Sequence, residues 1–129
     1  ASLLAEKIIH IKPEEEIYFF CGDQRLNDLP ETLQANNIRI NEFIVYKTIL
    51  TPHLADEDYN GIMFFSPSAV HSFFSANTIP LHVVLFAIGN TTANAVHTYC
   101  INHIIVSEWP GVENLTSAVM NYYENLNRE

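Results

Sequence analysis

From residue 61 onward the chain repeats one pattern: a short unbroken apolar run, then a stretch whose apolar residues fall at helical spacing. IMFF is followed by AVHSFFSA, VVLFAI by TTANAVHTY, and IIV by VENLTSAVMNYYENL. In the last of these, Val112, Leu115, Val119, Tyr122 and Leu126 trace one helical face. A strand that is apolar on both sides needs cover on both faces. A strand-helix-strand repeat supplies it, because right-handed crossovers join parallel strands and lay their helices over the sheet. Few folds other than a parallel α/β layer satisfy such a pattern.

The first half carries the same grammar less regularly. SLLAEKIIHI predicts a short helix before Pro13, and IYFF at 17–20 predicts a buried strand. DLPETLQANN reads as a helix with Asn27 or Asp28 as cap, Pro30 in its first turn and Asn36 or Asn37 at its end. INEFIV reads as a second strand that ends at Tyr46, and KTILTPHLADEDYN (47–60) fits no period and reads as a connector, with room for one helical turn in LADEDY. Strands at 17–20, 40–45, 62–65, 83–88 and 103–106 predict a flavodoxin-like, five-stranded parallel sheet of order 2-1-3-4-5 with helices on both faces, spanning 1–129 as a single unit.

Composition excludes several classes. The 129 residues suit one domain, and 48% apolar residues with 4 Gly and 6 Pro argue against disorder or low complexity. No apolar stretch approaches the roughly 18 residues that cross a bilayer. Residues 1–15 lack the layout of a signal peptide, so the chain is expected to be cytoplasmic, with no membrane partner. A net charge of −9 speaks against a nucleic-acid partner, which clustered Lys and Arg would hold. Cys21 and Cys100 lack CxxC spacing and read as buried free thiols; the six histidines show no ligand spacing, so no metal is expected.

In a parallel sheet the loops after the strands emerge at one edge, where ligands bind. Those loops are SPSA (66–69), GNTTA (89–93) and SEWPGVEN (107–114). Ser66 can cap a helix whose first position is Pro67, leaving the next amides at the positive end of the helix dipole. Such a corner is ready for an anion; it is equally an ordinary capped helix. The paired acids of a phosphate receiver, a flavin loop after the first strand, a P-loop, GxGxxG and GxSxG are all missing from the sequence. Trp109 reads as packing before interface.

Several stretches together resemble one family. IVYKT (44–48), FFSPSAV (64–70), FAIGNTTANAV (86–96) and VSEWPGVENLTSAV (106–119) are similar, in order and spacing, to successive blocks of uroporphyrinogen-III synthase, and FFCGDQRLNDLPETLQANNI to the segment ahead of its tyrosine block. The resemblance runs over residues 3–126, about half of the family's two-domain pattern; the family's first block, V-T-R-P, appears nowhere in these residues. Asn90 stands where the family more often has Pro, and Gly111-Val112 where it has a Thr.

The resemblance implies cyclisation of linear hydroxymethylbilane to uroporphyrinogen III, with loss of water and inversion of the last ring, and needs no cofactor. It implies that Tyr46 stands where a tyrosine helps the hydroxyl leave as a general acid; anchoring the connector is the other role open to it. Ser66, Thr91 and Thr92 would grip substrate carboxylates, with Pro67, Ser68, Gly89 and Asn90 completing the two bends. In the family's two-domain layout 1–46 would belong to one domain and 49–129 to the other, with 47–60 the connector. An exchanged homodimer, in which each front unit completes its neighbour's sheet, is the rival to a single five-stranded unit. A non-enzymatic module that binds an anion or a partner at the same edge is the alternative function.

Overall fold

The computed structural model describes residues 2–56 and 58–128, with the backbone alone for Ser2. The chain forms two compact units, Ala1–Ile49 and Leu50–Glu129.

The first unit runs α1 (Ser2–Ile11), β1 (Ile17–Gly22), α2 (Asp28–Ala35) and β2 (Ile40–Tyr46). β1 and β2 are parallel, in register from Ile17 opposite Ile40 to Cys21 opposite Ile44. Ala5, Leu29 and Leu33 form the core under Ile17, Phe19, Ile38 and Ile40, so both helices cover the same face of the sheet. α2 ends where the sequence suggests: Asn36 closes the helix and Asn37 turns the chain at φ 58°, a conformation that Asn tolerates. Asn27 caps differently. Its side chain makes no hydrogen bond to the helix and instead accepts one from Arg25.

IYFF is only half a buried strand. Phe19 faces the helices, while Tyr18 and Phe20 are 59% and 64% exposed and stack on Phe43 with centroids 5.8 and 5.4 Å apart. The side-chain period of a strand is two, so one layer of helix buries every second residue and leaves the rest of a continuous apolar run outside.

The second unit runs β3 (Gly61–Phe64), α3 (Pro67–Phe74), β4 (Val84–Ala87), α4 (Asn90–His97), β5 (Ile104–Val106) and α5 (Val112–Leu126), as the repeating pattern predicts. Its sheet is parallel, of order β3-β4-β5. All four residues of β4 are buried. Leu85 joins Phe64, Val70, Val83 and Val96 in the core under α3 and α4; Val84 and Phe86 pack on Leu115 of α5 on the other face. This sheet is therefore covered on both faces. The predicted face of α5 holds at its centre, whereas Val112 and Leu126 at its ends are exposed.

The single five-stranded sheet of order 2-1-3-4-5 is not formed: β1-β2 and β3-β4-β5 are separate sheets. Each pair of neighbouring strands is joined through its own helix, but the described residues between Tyr46 and Gly61 contain none, and LADEDY makes no helical turn at its described positions. A parallel neighbour needs a crossover that packs back onto the sheet, and an extended connector gives β3 none. Among the described residues no helix is long and apolar enough to cross a membrane, and no cluster of three or more His, Cys, Asp or Glu could hold a metal ion.

Leu33→Ala is expected to cost about 2–5 kcal/mol of stability, and Phe20→Ala, on the open face, under about 1 kcal/mol, both read by urea unfolding. Tyr123 gives a pH test. Its hydroxyl is buried without a hydrogen-bond partner among the described residues, and burial first, then the neighbouring Tyr122, raises its pKa. A raised acid favours the neutral phenol in the fold, so its contribution is present below the ordinary tyrosine pKa and is lost as pH rises through the folded value. Tyr123→Phe should flatten the decline in stability above about pH 10.

Candidate functional site

Two corners of the second unit lie together because their strands do. Phe64 is opposite Ala87 in the β3–β4 ladder, and the Ile88 amide donates to the Phe64 carbonyl at 3.1 Å. Two residues beyond each strand end, Ser66 and Gly89 are the N-caps of α3 and α4. Adjacent strands are about 4.8 Å apart, so the two helix starts open at one edge of the sheet. The third corner joins the same edge, since the Ser107 amide donates to the Ala87 carbonyl at 2.9 Å.

The first corner satisfies itself in part. Ser66 is extended, with φ −161° and ψ 156°, and its Oγ accepts from the Ala69 amide at 3.1 Å. Pro67 occupies the first helical turn and has no amide proton, while the Ser66 and Ser68 hydroxyls lie 3.0 Å apart. The Val70 amide reaches the Ser66 carbonyl. Of the first-turn amides, that of Ser68 is left for another acceptor.

GNTTA is the more open corner. Gly89 is extended, has no side chain to cap α4, and would meet nothing within 4 Å if it carried a Cβ. The Ala93 amide returns to the Gly89 carbonyl. The amides of Asn90, Thr91 and Thr92 are the orphan donors of this helix start, and they point along its dipole. Thr91 is exposed, and Thr92 is 3% exposed, turned into the fold.

At the third corner Gly111 has φ 129°, which favours glycine, and starts α5 without a side-chain cap. Trp109 is 70% exposed here, against the expectation of packing. A groove of about 400 Å³ runs from Ser107, Glu108 and Trp109 along the Asn114, Asn121 and Asn125 face of α5. Sequence reading missed it, because amides at helical spacing look like a solvated surface.

Charge is divided unevenly. Of the six basic residues only Arg128 lies after residue 49, along with seven acids. The corners of the second unit therefore offer neutral donors and no cation.

The structure thus brings Ser66, Pro67 and Ser68 together with Gly89, Asn90, Thr91 and Thr92. Tyr46 belongs to the other unit, where it ends β2 with 62% of its surface exposed. The family profile described as uroporphyrinogen-III synthase HemD matches residues 1–117. The chain belongs to that family. In a search of solved structures, uroporphyrinogen-III synthetase from Helicobacter pylori matches with a TM-score of 0.70 and 18% identity, over 92% of this chain and 59% of that one. At that identity the likeness speaks for the fold, and this member spans 59% of the length of that relative. No curated protein matches the sequence.

Ser66→Ala removes the acceptor of the Ala69 amide, and a loss of about 1 kcal/mol is expected in urea unfolding.

Proposed function

We propose that this chain is part of a uroporphyrinogen-III synthase that binds hydroxymethylbilane, a flexible tetrapyrrole bearing many carboxylates, and helps to close it with inversion of the last ring. The observation that carries the reading is the pair of uncharged helix starts on neighbouring parallel strands, in a chain whose family membership names that chemistry. Amide dipoles there give a locally positive potential in a chain of net charge −9.

The GNTTA amides and the Thr91 hydroxyl hold one carboxylate, and the Ser68 amide with the serine hydroxyls holds another. Holding the chain in a productive shape lowers the entropy cost of ring closure, and that is the main catalytic term. Tyr46 protonates the departing hydroxyl; the residue is 62% exposed and its side chain ends in an O–H donor. On this reading 1–46 and 49–129 belong to different domains of a two-domain enzyme, with 47–60 as the connector. A chain that spans 59% of the length of its solved relative binds tetrapyrrole and turns it over slowly.

Titration with uroporphyrin III, the oxidised and stable form of the product, followed by fluorescence, should saturate. Thr91→Asp puts a carboxylate at the start of α4, which favours the helix dipole by about 0.3–1 kcal/mol while repelling the ligand. Affinity should fall at least about tenfold, roughly 1.4 kcal/mol, with no loss of thermal stability. Absence of saturable binding by the unsubstituted chain overturns the reading, as does equal affinity of the variant. With hydroxymethylbilane supplied by a coupled assay, any turnover should give the type III ring above the type I ring that forms spontaneously.

A further inference from the structure

The end of β2 departs from regular pairing at one place. Cys21 is opposite Ile44, but Gly22 is opposite Tyr46, so β2 carries one extra residue at Val45. Unbroken alternation would send Tyr46 to the same face as Ile40 and Ile44, the face on which the helices pack. One added residue reverses its direction, and such bulges re-aim side chains next to working sites.

What receives the re-aimed ring is a residue without a side chain. A Cβ at Gly22 would lie 2.5 Å from Tyr46 Cε2, 2.6 Å from Cζ and 2.8 Å from the hydroxyl oxygen. One Cα hydrogen of Gly22 therefore points into the phenol ring. Gly22 does not have the positive φ of Gly111, so its backbone accepts alanine and only the ring stands in the way. Tyr46 is nonetheless 62% exposed: one side of the ring rests on the glycine and the remainder stays open to a ligand.

The loop after β1 then grips the chain beyond the ring. The Asp23 amide donates to the Tyr46 carbonyl at 3.2 Å, and Asp23 Oδ1 accepts from the Thr48 amide at 2.9 Å. Gln24 Nε2 reaches the Thr48 carbonyl at 3.5 Å. Arg25, from the same loop, pairs with Glu42 of β2. Residues 46–48 are thus held just beyond the tyrosine Cα, and β2 before it is tied to the same loop through Glu42, although the chain there is otherwise the start of an extended connector.

We propose that Gly22 and Asp23 are positioning residues for Tyr46: a seat and a clasp that fix where its phenol points. The proposal rests on the reading of Tyr46 as the proton donor for its functional meaning, but its geometry is testable without turnover. Holding a two-torsion side chain in one rotamer before the substrate arrives removes an ordering cost from the reacting complex.

Nuclear magnetic resonance of the full 129-residue chain reads the geometry directly. In the unsubstituted protein one Gly22 Cα proton should be shifted upfield by the ring, and Tyr46→Leu should return it to the ordinary glycine range. With fluorotyrosine incorporated, the signal that Tyr46→Phe deletes identifies Tyr46 among the six tyrosines. Gly22→Ala should move that signal, and Asp23→Ala should move or broaden it. Asp23→Asn, which keeps an oxygen acceptor for the Thr48 amide, should restore the original position. A general loss of structure would move all six signals together, so a change confined to one separates positioning from stability.

The proposal is overturned if Gly22 Cα protons are unaffected by Tyr46→Leu, or if the Tyr46 signal is the same in Gly22→Ala and Asp23→Ala as in the parent. Loss of Tyr46 function in the synthase assay with these signals unchanged would leave the phenol's role standing and remove the seat and clasp. The reverse result, with signals moved and turnover indifferent to Tyr46→Phe, would keep the geometry and remove the proton donor.

Discussion

Everything in the second unit follows from the burial of β4 on both faces. Val84, Leu85, Phe86 and Ala87 are between 0% and 7% exposed, with α3 and α4 on one side and α5 on the other. Burial on that scale leaves no water for the strand's backbone, so its amides and carbonyls must pair with β3 and β5. Parallel pairing brings the C-terminal ends of all three strands to one edge. The SPSA and GNTTA corners are neighbours for that reason, although Ser66 and Gly89 are 23 positions apart in sequence.

The same arrangement resolves an apparent conflict of charge. A chain with 15 acids and 6 bases is a poor general surface for a polycarboxylate. Screening confines most surface charge to roughly 8–10 Å, however, and on the proposed reading the orphan amides at a helix start would touch the carboxylates directly. What counts is the donor set at the edge: the amides of Asn90, Thr91 and Thr92, unclaimed by any capping side chain, and that of Ser68. Neutral donors also bind without the desolvation cost of burying a cation.

The front unit shows how a locally similar sequence reaches a different end. Its β1-α2-β2 segment has the same grammar as the later repeats, but both helices sit on one face of two strands. Tyr18, Phe20 and Phe43 are left as a stacked aromatic surface. Nothing in IYFF distinguishes this outcome from the sandwiched fate of VLFA. Strand composition reports how much apolar surface a segment offers; how many layers come to cover it depends on elements elsewhere.

Local physics made much of this protein readable from its residues. Apolar runs marked four of the five strands and INEFIV the other, helical spacing marked α5, Ser66-Pro67 marked the start of α3, and Asn36-Asn37 marked the end of α2, because each depends on side-chain period or backbone preference over a few residues. The ordered blocks that carried the family resemblance were legible too. The separation into two sheets, the exposure of Trp109, the amide-lined groove on α5 and the re-aiming of Tyr46 onto Gly22 were not. Each of these depends on which strands pair and in what register. Pairing is a contest between surfaces far apart in the chain, decided by crossover geometry and a single extra residue, and it leaves no periodic mark in the sequence.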